Sequence, residues 1–265
     1  MWNPGHIARA KKKISELVKA VNYVVEIRDA RAPYATGAYE REKLFRGKKT
    51  IIVLNKADLA EEKITEEWIE YFRDRGEKAI IAQKGDRSKS LIKKLFGEKA
   101  AARALIVGMP NVGKSTFINR IKGRRSLKVG AVPGITRGVL WLQINERIRF
   151  LDTPGIIYTE LFSKKLIAKL ILVGSIPPEK VDDWQHFINA FDILREKYPG
   201  TIRDIGGDVD SFDEFIKLYG KKRGMLLKGG KVDMETAAYR FFYEIYIGKY
   251  GKMSFETPRE IGMSE

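Results

Sequence analysis

Four short stretches carry residue types that could handle a nucleoside triphosphate. In "GMPNVGKST", Gly108 and Gly113 free the backbone to curl N–H groups around phosphate oxygens, Lys114 offers a cation to the terminal phosphates, and Ser115 offers a hydroxyl to magnesium. Pro110, Asn111, Val112 and Thr116 complete that loop. An apolar strand precedes it and "STFINRIKG" opens a helix directly after, aiming a positive dipole end at the anion. In "DTPG", Asp152 is placed to order magnesium and the Gly155 N–H to meet the γ-phosphate. Between the two lies "VPGITRG", in which Thr136 would reach magnesium in the triphosphate state only, as a switch.

The fourth stretch, "NKAD", adds a base. As a carboxylate, Asp58 accepts from both N1–H and the exocyclic N2–H₂ of guanine, a pair that adenine lacks. A buried carboxylate left unpaired disfavours the wrong base by orders of magnitude. Asn55 and Lys56 would brace the loop and cover the ring. The contact to O6 is expected after the next strand, at "AIIAQKG", with Ala82, Gln83 and Lys84 as candidates. The order is unusual, because a base-reading element ordinarily follows the phosphate loop. Here it precedes that loop, as though the old termini were joined and the chain reopened after "DTPG".

The elements that must position these residues alternate. "NYVVEIRDAR", "TIIVLNKAD", "KAIIAQ" and "RALIVG" are apolar runs separated by helical patterns, and "GVLWLQI" with "RIRFLD" reads as a hairpin turning near Asn145. Six strands mostly separated by helices imply a largely parallel sheet covered on both faces. Thr65 is expected to cap a helix whose first turn carries Glu66 and Glu67. Ile7, Ala10, Ile14, Leu17 and Val18 form the apolar face of a basic N-terminal helix. From about residue 160 every stretch has the helical period, which divides the chain into a nucleotide-binding part, 1–159, and an all-α part, 160–265.

Net charge is +16 over 265 residues, and residues 1–159 hold all of the excess, with 33 Lys and Arg against 17 Asp and Glu. Such a field favours a polyanion, nucleic acid first and an anionic membrane surface second, while plain solubility is the bland alternative. No stretch approaches the roughly 20 apolar residues of a membrane span. With no cysteine there are no disulfides or thiolate metal sites, and His6 and His186 leave little for zinc. His186 reads as a solvent-facing helical residue. A cytoplasmic address fits.

The whole chain resembles the circularly permuted GTPases of the YlqF type, ribosome biogenesis GTPase A. "WNPGHIARAKKKI", "RDARAP", "NKAD", "GMPNVGKST", "PGIT" and "DTPGI" match its successive elements, and "KKRGMLLKGGKVDMETAA" and "GKMSFETP" are similar to its C-terminal stretches. The resemblance implies GTP and GDP as ligands with magnesium, a role in late assembly of the large ribosomal subunit, and contact of the helical part with ribosomal RNA. It also implies slow intrinsic turnover, since Ile156 stands where many GTPases carry a water-orienting glutamine. Two residues could supply what Ile156 lacks. His6 is the family's candidate for orienting water, against a structural role in the "PGH" turn. Asn111 is the candidate for potassium, whose charge can stand where an arginine finger would, against a plain loop brace.

Three readings follow. The first is a GTP hydrolase gated onto a precursor of the large subunit and stimulated by ribosomal particles and potassium. The second is a GTP-sensing RNA-binding module with negligible hydrolysis. A membrane-associated GTPase using Lys11–Lys13 is the third, and no second anchor supports stable membrane association. Oligomeric state is not legible.

Overall fold

The computed structural model describes residues 12, 14–38, 41–98, 101–122, 128–131, 140–152 and 163–262. Runs of apolar residues buried on both sides become central strands: β1 (Tyr23–Asp29), β2 (Lys49–Asn55), β4 (Ala102–Val107) and β7 (Ile148–Asp152), while the shorter, half-buried β3 (Lys78–Ile81) lies at one edge. With β5 (Lys128–Ala131) and β6 (Leu140–Gln143) they form one sheet in the order β3-β2-β1-β4-β7-β6-β5. The first five in that order run parallel, and β6 and β5 are antiparallel to their neighbours. The expected hairpin is β6–β7.

The sheet has seven strands where six were expected. The seventh, β5, comes from "KVGA", too short and too interrupted by Lys and Gly to read as a strand alone. Its pairing with β6 makes it one, with a register shift between Val129 and Ala131.

A helix through residues 14–19, α1, buries Ile14, Leu17 and Val18 against Val24, Leu105, Val107 and Leu151. On the same face, α3 (Glu62–Asp74) lays Trp68 and Phe72 on Ile52 and Leu54. On the opposite face, Phe96 of α4 (Ser88–Phe96) meets Tyr23 edge-on, centroids 5.1 Å apart. A short α2 (Arg41–Leu44) joins β1 to β2, and α5 (Lys114–Lys122) follows β4. Thr65 does not cap α3, which starts three residues earlier. Its hydroxyl instead donates back to the Glu61 carbonyl at 2.9 Å from within the first turn.

The chain divides into two compact units, Met1–Glu160 with Glu256–Glu265, and Leu161–Phe255. The last ten residues therefore leave the helical part in which they were expected. Their destination is fixed by Glu256, a fully buried carboxylate that accepts from the backbone N–H of Tyr34 at 2.7 Å and of Ala35 at 3.1 Å. Trp68 Nε1–H donates to the Glu256 carbonyl at 3.2 Å, and Ile261 of α11 (Pro258–Gly262) joins the Trp68 cluster.

The second unit holds α6 (Lys164–Leu172), α7 (Trp184–Lys197), α8 (Pro199–Gly206), α9 (Phe212–Lys222) and α10 (Met234–Tyr246). Its core is a lattice of phenylalanines: Phe191–Phe215 and Phe215–Phe241 centroids lie 4.8 Å apart, and Phe187 stacks on Phe242 at 5.1 Å. Fully buried Glu244 on α10 gathers Arg223, Arg240, Lys249 and the Tyr219 and Tyr250 hydroxyls. Burial pushes the Glu244 carboxyl up, but these donors outweigh it and bring it down to about 2. Burial, with help from the same carboxylate, pushes the Tyr250 phenol up to about 12. One short antiparallel bridge, Leu226 with Val232, interrupts the helices between α9 and α10.

Candidate nucleotide-binding site

In open α/β sheets ligands bind beyond the carboxyl ends of the strands, where strand order reverses. Here the chain builds outward through β1, β2 and β3, then returns to place β4 on the other side of β1. The loop after β2 carries "NKAD" and the loop after β4 carries "GMPNVGKS", so β1 is flanked by the two. The permuted order is thereby undone in space.

The two loops touch directly. Asn55, 2% exposed, donates from Nδ2 to the Val112 carbonyl at 2.8 Å. A Cβ on Gly113 would stand 2.5 Å from that same Nδ2 and could not be accommodated while the contact holds, in a residue already at φ 92°. Gly108 has a parallel reason, since a Cβ there would stand 2.4 Å from the Ile27 carbonyl oxygen of β1. Asn111 adopts the left-handed region at φ 59° and is exposed at the loop crest, between half-buried Pro110 and buried Val112. Lys114 is 7% exposed and donates to the Gly108 and Met109 carbonyls at 2.9 and 2.7 Å, which curls its ammonium back over the loop. Ser115 and Thr116 are exposed in the first turn of α5.

The base-reading loop is clasped from the other side. Asp58 Oδ1 accepts from the Lys84 backbone N–H at 3.0 Å, Ala57 N–H donates to Ala82 at 3.2 Å, and Ala82 N–H donates to Leu54 at 2.9 Å. The backbone N–H of Gln83 is held by the Asp86 carboxylate at 2.8 Å. The "AQK" segment therefore lies beside "NKAD", where an O6 contact would have to come from.

Lys56 is also left-handed, at φ 59°, and its ammonium reaches Asp29 Oδ2 at 2.9 Å. Asp29, fully buried at the end of β1, sits level with Asn55 in the β1–β2 register. Arg31 grips it through Nε and Nη2, each at 2.9 Å, and through its own backbone N–H at 3.1 Å. Burial pushes the Asp29 carboxyl up, but Arg31 and Lys56 overcome that and hold it far below the usual carboxylate range. The sequence marked "RDARAP" as an element without giving its carboxylate a task. The signal was an acid closing an apolar strand with arginines on both sides.

Asp152 ends β7, and the pairing of Ile106 with Asp152 places its backbone one residue before the end of β4, beside the root of the phosphate loop. Thr136, Gly155, Ile156 and His6 lie outside the described residues. His186 is half-buried on α7 instead of facing solvent, and its Nδ1 has no partner among the described residues.

The residues present fit a guanine nucleotide. The glycine-bounded loop opens into a helix N-terminus, a lysine is folded over it, and Asp58 is held at its rim. Asn55 Oδ1 is a buried acceptor with no partner among the described residues. The fold and site define a P-loop nucleotide-binding domain of the GTPase kind in permuted order. A family model described as "50S ribosome-binding GTPase" matches residues 103–204, starting at β4 and leaving out the base-reading loop that precedes it. "Ribosome biogenesis GTPase A" of Thermotoga maritima is 49% identical over 98% of this chain and 95% of its own length, and its Bacillus cereus counterpart is 33% identical over 98% and 95%. The crystal structure of GNP-bound YlqF from T. maritima superposes with a TM-score of 0.81 at 44% identity, covering 94% of this chain and 98% of that one. The chain belongs to the ribosome biogenesis GTPase A family.

Proposed function

We propose that the chain hydrolyses GTP to GDP and phosphate in a cycle that gates its binding to a precursor of the large ribosomal subunit. The helical unit grips ribosomal RNA, and the work is done in the cytoplasm. The observation that carries the reading is the Asn55–Val112 contact, which brings a guanine reader onto a phosphate loop 57 residues further along the chain. Family membership supports the ribosomal role, and no helix among the described residues is long and apolar enough to cross a membrane.

In this reading Asp58 selects guanine and Lys56, anchored on Asp29, covers the ring. Backbone N–H groups from Asn111 to Ser115 and the Lys114 ammonium neutralise charge on the β- and γ-phosphates. Ser115, Thr136 and Asp152 would hold magnesium, which when bound would supply Lewis-acid charge at the terminal phosphates. Gly155 N–H reads the γ-phosphate. Ile156 can neither donate nor accept, so His6 orients the attacking water, and Asn111 is the proposed ligand for a potassium ion that adds positive charge at the loop.

Turnover of GTP measured with and without purified large subunits, in potassium and in sodium, tests the proposal. Slow basal turnover that rises with subunits and potassium is expected. Tight GTP binding with no turnover under any condition would favour the nucleotide-sensing RNA module, which Ile156 supports.

A further inference from the structure

Between α9 and α10 the chain makes a small, firmly rooted hairpin. Asp233 N–H donates to the Met225 carbonyl at 3.0 Å, Leu227 N–H to Lys231 at 2.7 Å, and Gly230 N–H to Leu227 at 3.0 Å. Gly229 and Gly230, at φ 90° and 80°, make the turn. The root is locked: Val232 packs so closely on α9 that a Cβ on Gly220 would meet its Cγ1 at 2.5 Å. Asp233 then caps α10 through the Thr236 N–H at 3.1 Å. A hairpin held this tightly still leaves Leu226 48% and Leu227 54% exposed.

The surroundings are strongly basic. Lys221, Lys222, Arg223, Lys228 and Lys231 fall between residues 221 and 232 with no acidic residue among them. Arg223 is held by Glu244 and Tyr250, whereas the four lysines are exposed and have no ion pair among the described residues. Two leucines raised on a rigid turn among uncompensated cations match a polyanion that also offers apolar faces. Structured RNA is such a partner, because the faces of its bases become accessible where stacking is interrupted. Apolar side chains are used elsewhere as wedges between base steps. An anionic bilayer meets the charge requirement but fits the tip less well, since firm anchoring needs a second apolar element beside one two-residue tip.

We infer that the hairpin at residues 225–232 is an RNA wedge: Leu226 and Leu227 press into an interrupted base stack while Lys221, Lys222, Lys228 and Lys231 hold the flanking phosphates. The inference rests on the proposed RNA role of the helical unit and adds how the contact is made. Its test uses the full chain and a bulged RNA hairpin carrying 2-aminopurine beside the bulge, whose fluorescence rises on unstacking. Wild type should bind and brighten the probe. The double variant Leu226→Ser/Leu227→Ser should bind roughly ten-fold more weakly, keep the salt slope and lose the brightening at saturation, while Leu226→Met/Leu227→Met should restore it. Lys228→Gln/Lys231→Gln should flatten the salt slope by about two counterions and keep the brightening per bound complex. Undiminished brightening by the serine variant overturns the wedge while leaving RNA binding intact. Failure of wild type to bind RNA defeats the RNA reading itself. Selective loss of binding to phosphatidylserine vesicles in the serine variant, with RNA unaffected, reassigns the hairpin to membranes.

Discussion

Replacing Asp29 by Asn probes how Lys56 is positioned. The wild-type carboxylate takes four hydrogen bonds, three from Arg31 and one from Lys56. An asparagine keeps one acceptor oxygen and turns an NH₂ toward donors. Arg31 is 1% exposed and would lose its counter-charge without gaining water. Breaking a buried pair in this way costs about 3–5 kcal/mol, and at about 2–4 °C per kcal/mol for a unit of this size the melting temperature should fall by roughly 6–20 °C. Nucleotide binding should suffer as well: with Lys56 unanchored, GDP affinity is expected to drop about ten-fold, or ~1.4 kcal/mol. Because the folded-state carboxyl is depressed, its contribution is complete above the unfolded value of about 3.9 and fades as pH falls below it. The gap between wild type and variant should thus be constant from neutral pH down to about pH 5 and narrow below pH 4. Calorimetry across that range, with fluorescent GDP titrations on the same preparations, makes the measurement. A melting temperature within about 2 °C of wild type at pH 7, no more than about one kcal/mol, would refute the argument.

Three further outcomes are expected. Gly113→Ala should weaken GDP binding by about 100-fold, ~2.7 kcal/mol, since its Cβ displaces Asn55 from Val112; titration at constant magnesium decides, and unchanged affinity would mean the two loops move independently. The helical unit should lose stability between about pH 4.5 and its Glu244 value of about 2, because a depressed carboxyl stabilises only while ionised; acid titration followed at its tyrosines checks this, and Glu244→Gln should abolish that component. His6→Ala should cut single-turnover hydrolysis by about 10²–10⁴-fold while leaving GTP affinity intact; joint loss of both would assign His6 a structural role.

The phosphate loop and "NKAD" were legible because each is a compact run of residues whose chemistry is stated locally. Their meeting was legible only as a spatial consequence of permutation, and the Asn55–Val112 bond supplies it. The strand "KVGA" was missed because its conformation comes from its partner β6, not from its own apolar pattern. Thr65 misled because a Ser or Thr ahead of acidic residues looks alike at a cap and within the first turn, where its hydroxyl can bond back to a carbonyl. Asp29 was visible as a residue and not as a function, since the register that sets it level with Asn55 exists only in the sheet. Glu256 was hidden most deeply, as nothing in "SFETP" says which backbone N–H groups its carboxylate will receive.

That return has a consequence for biosynthesis. The nucleotide-binding unit owns the last ten residues of the chain, and the 95 residues from Leu161 to Phe255 must be made before they appear. At about 5–20 residues per second, that interval is roughly 5–20 s, ample time for a nascent domain to collapse. Through all of it the Tyr34 and Ala35 amides lack their carboxylate and the Trp68 cluster lacks Ile261. Final closure of the nucleotide-binding unit therefore waits until Glu256 and Ile261 have themselves cleared the exit tunnel. A chain cut short at the helical unit leaves its nucleotide-binding partner unfinished as well.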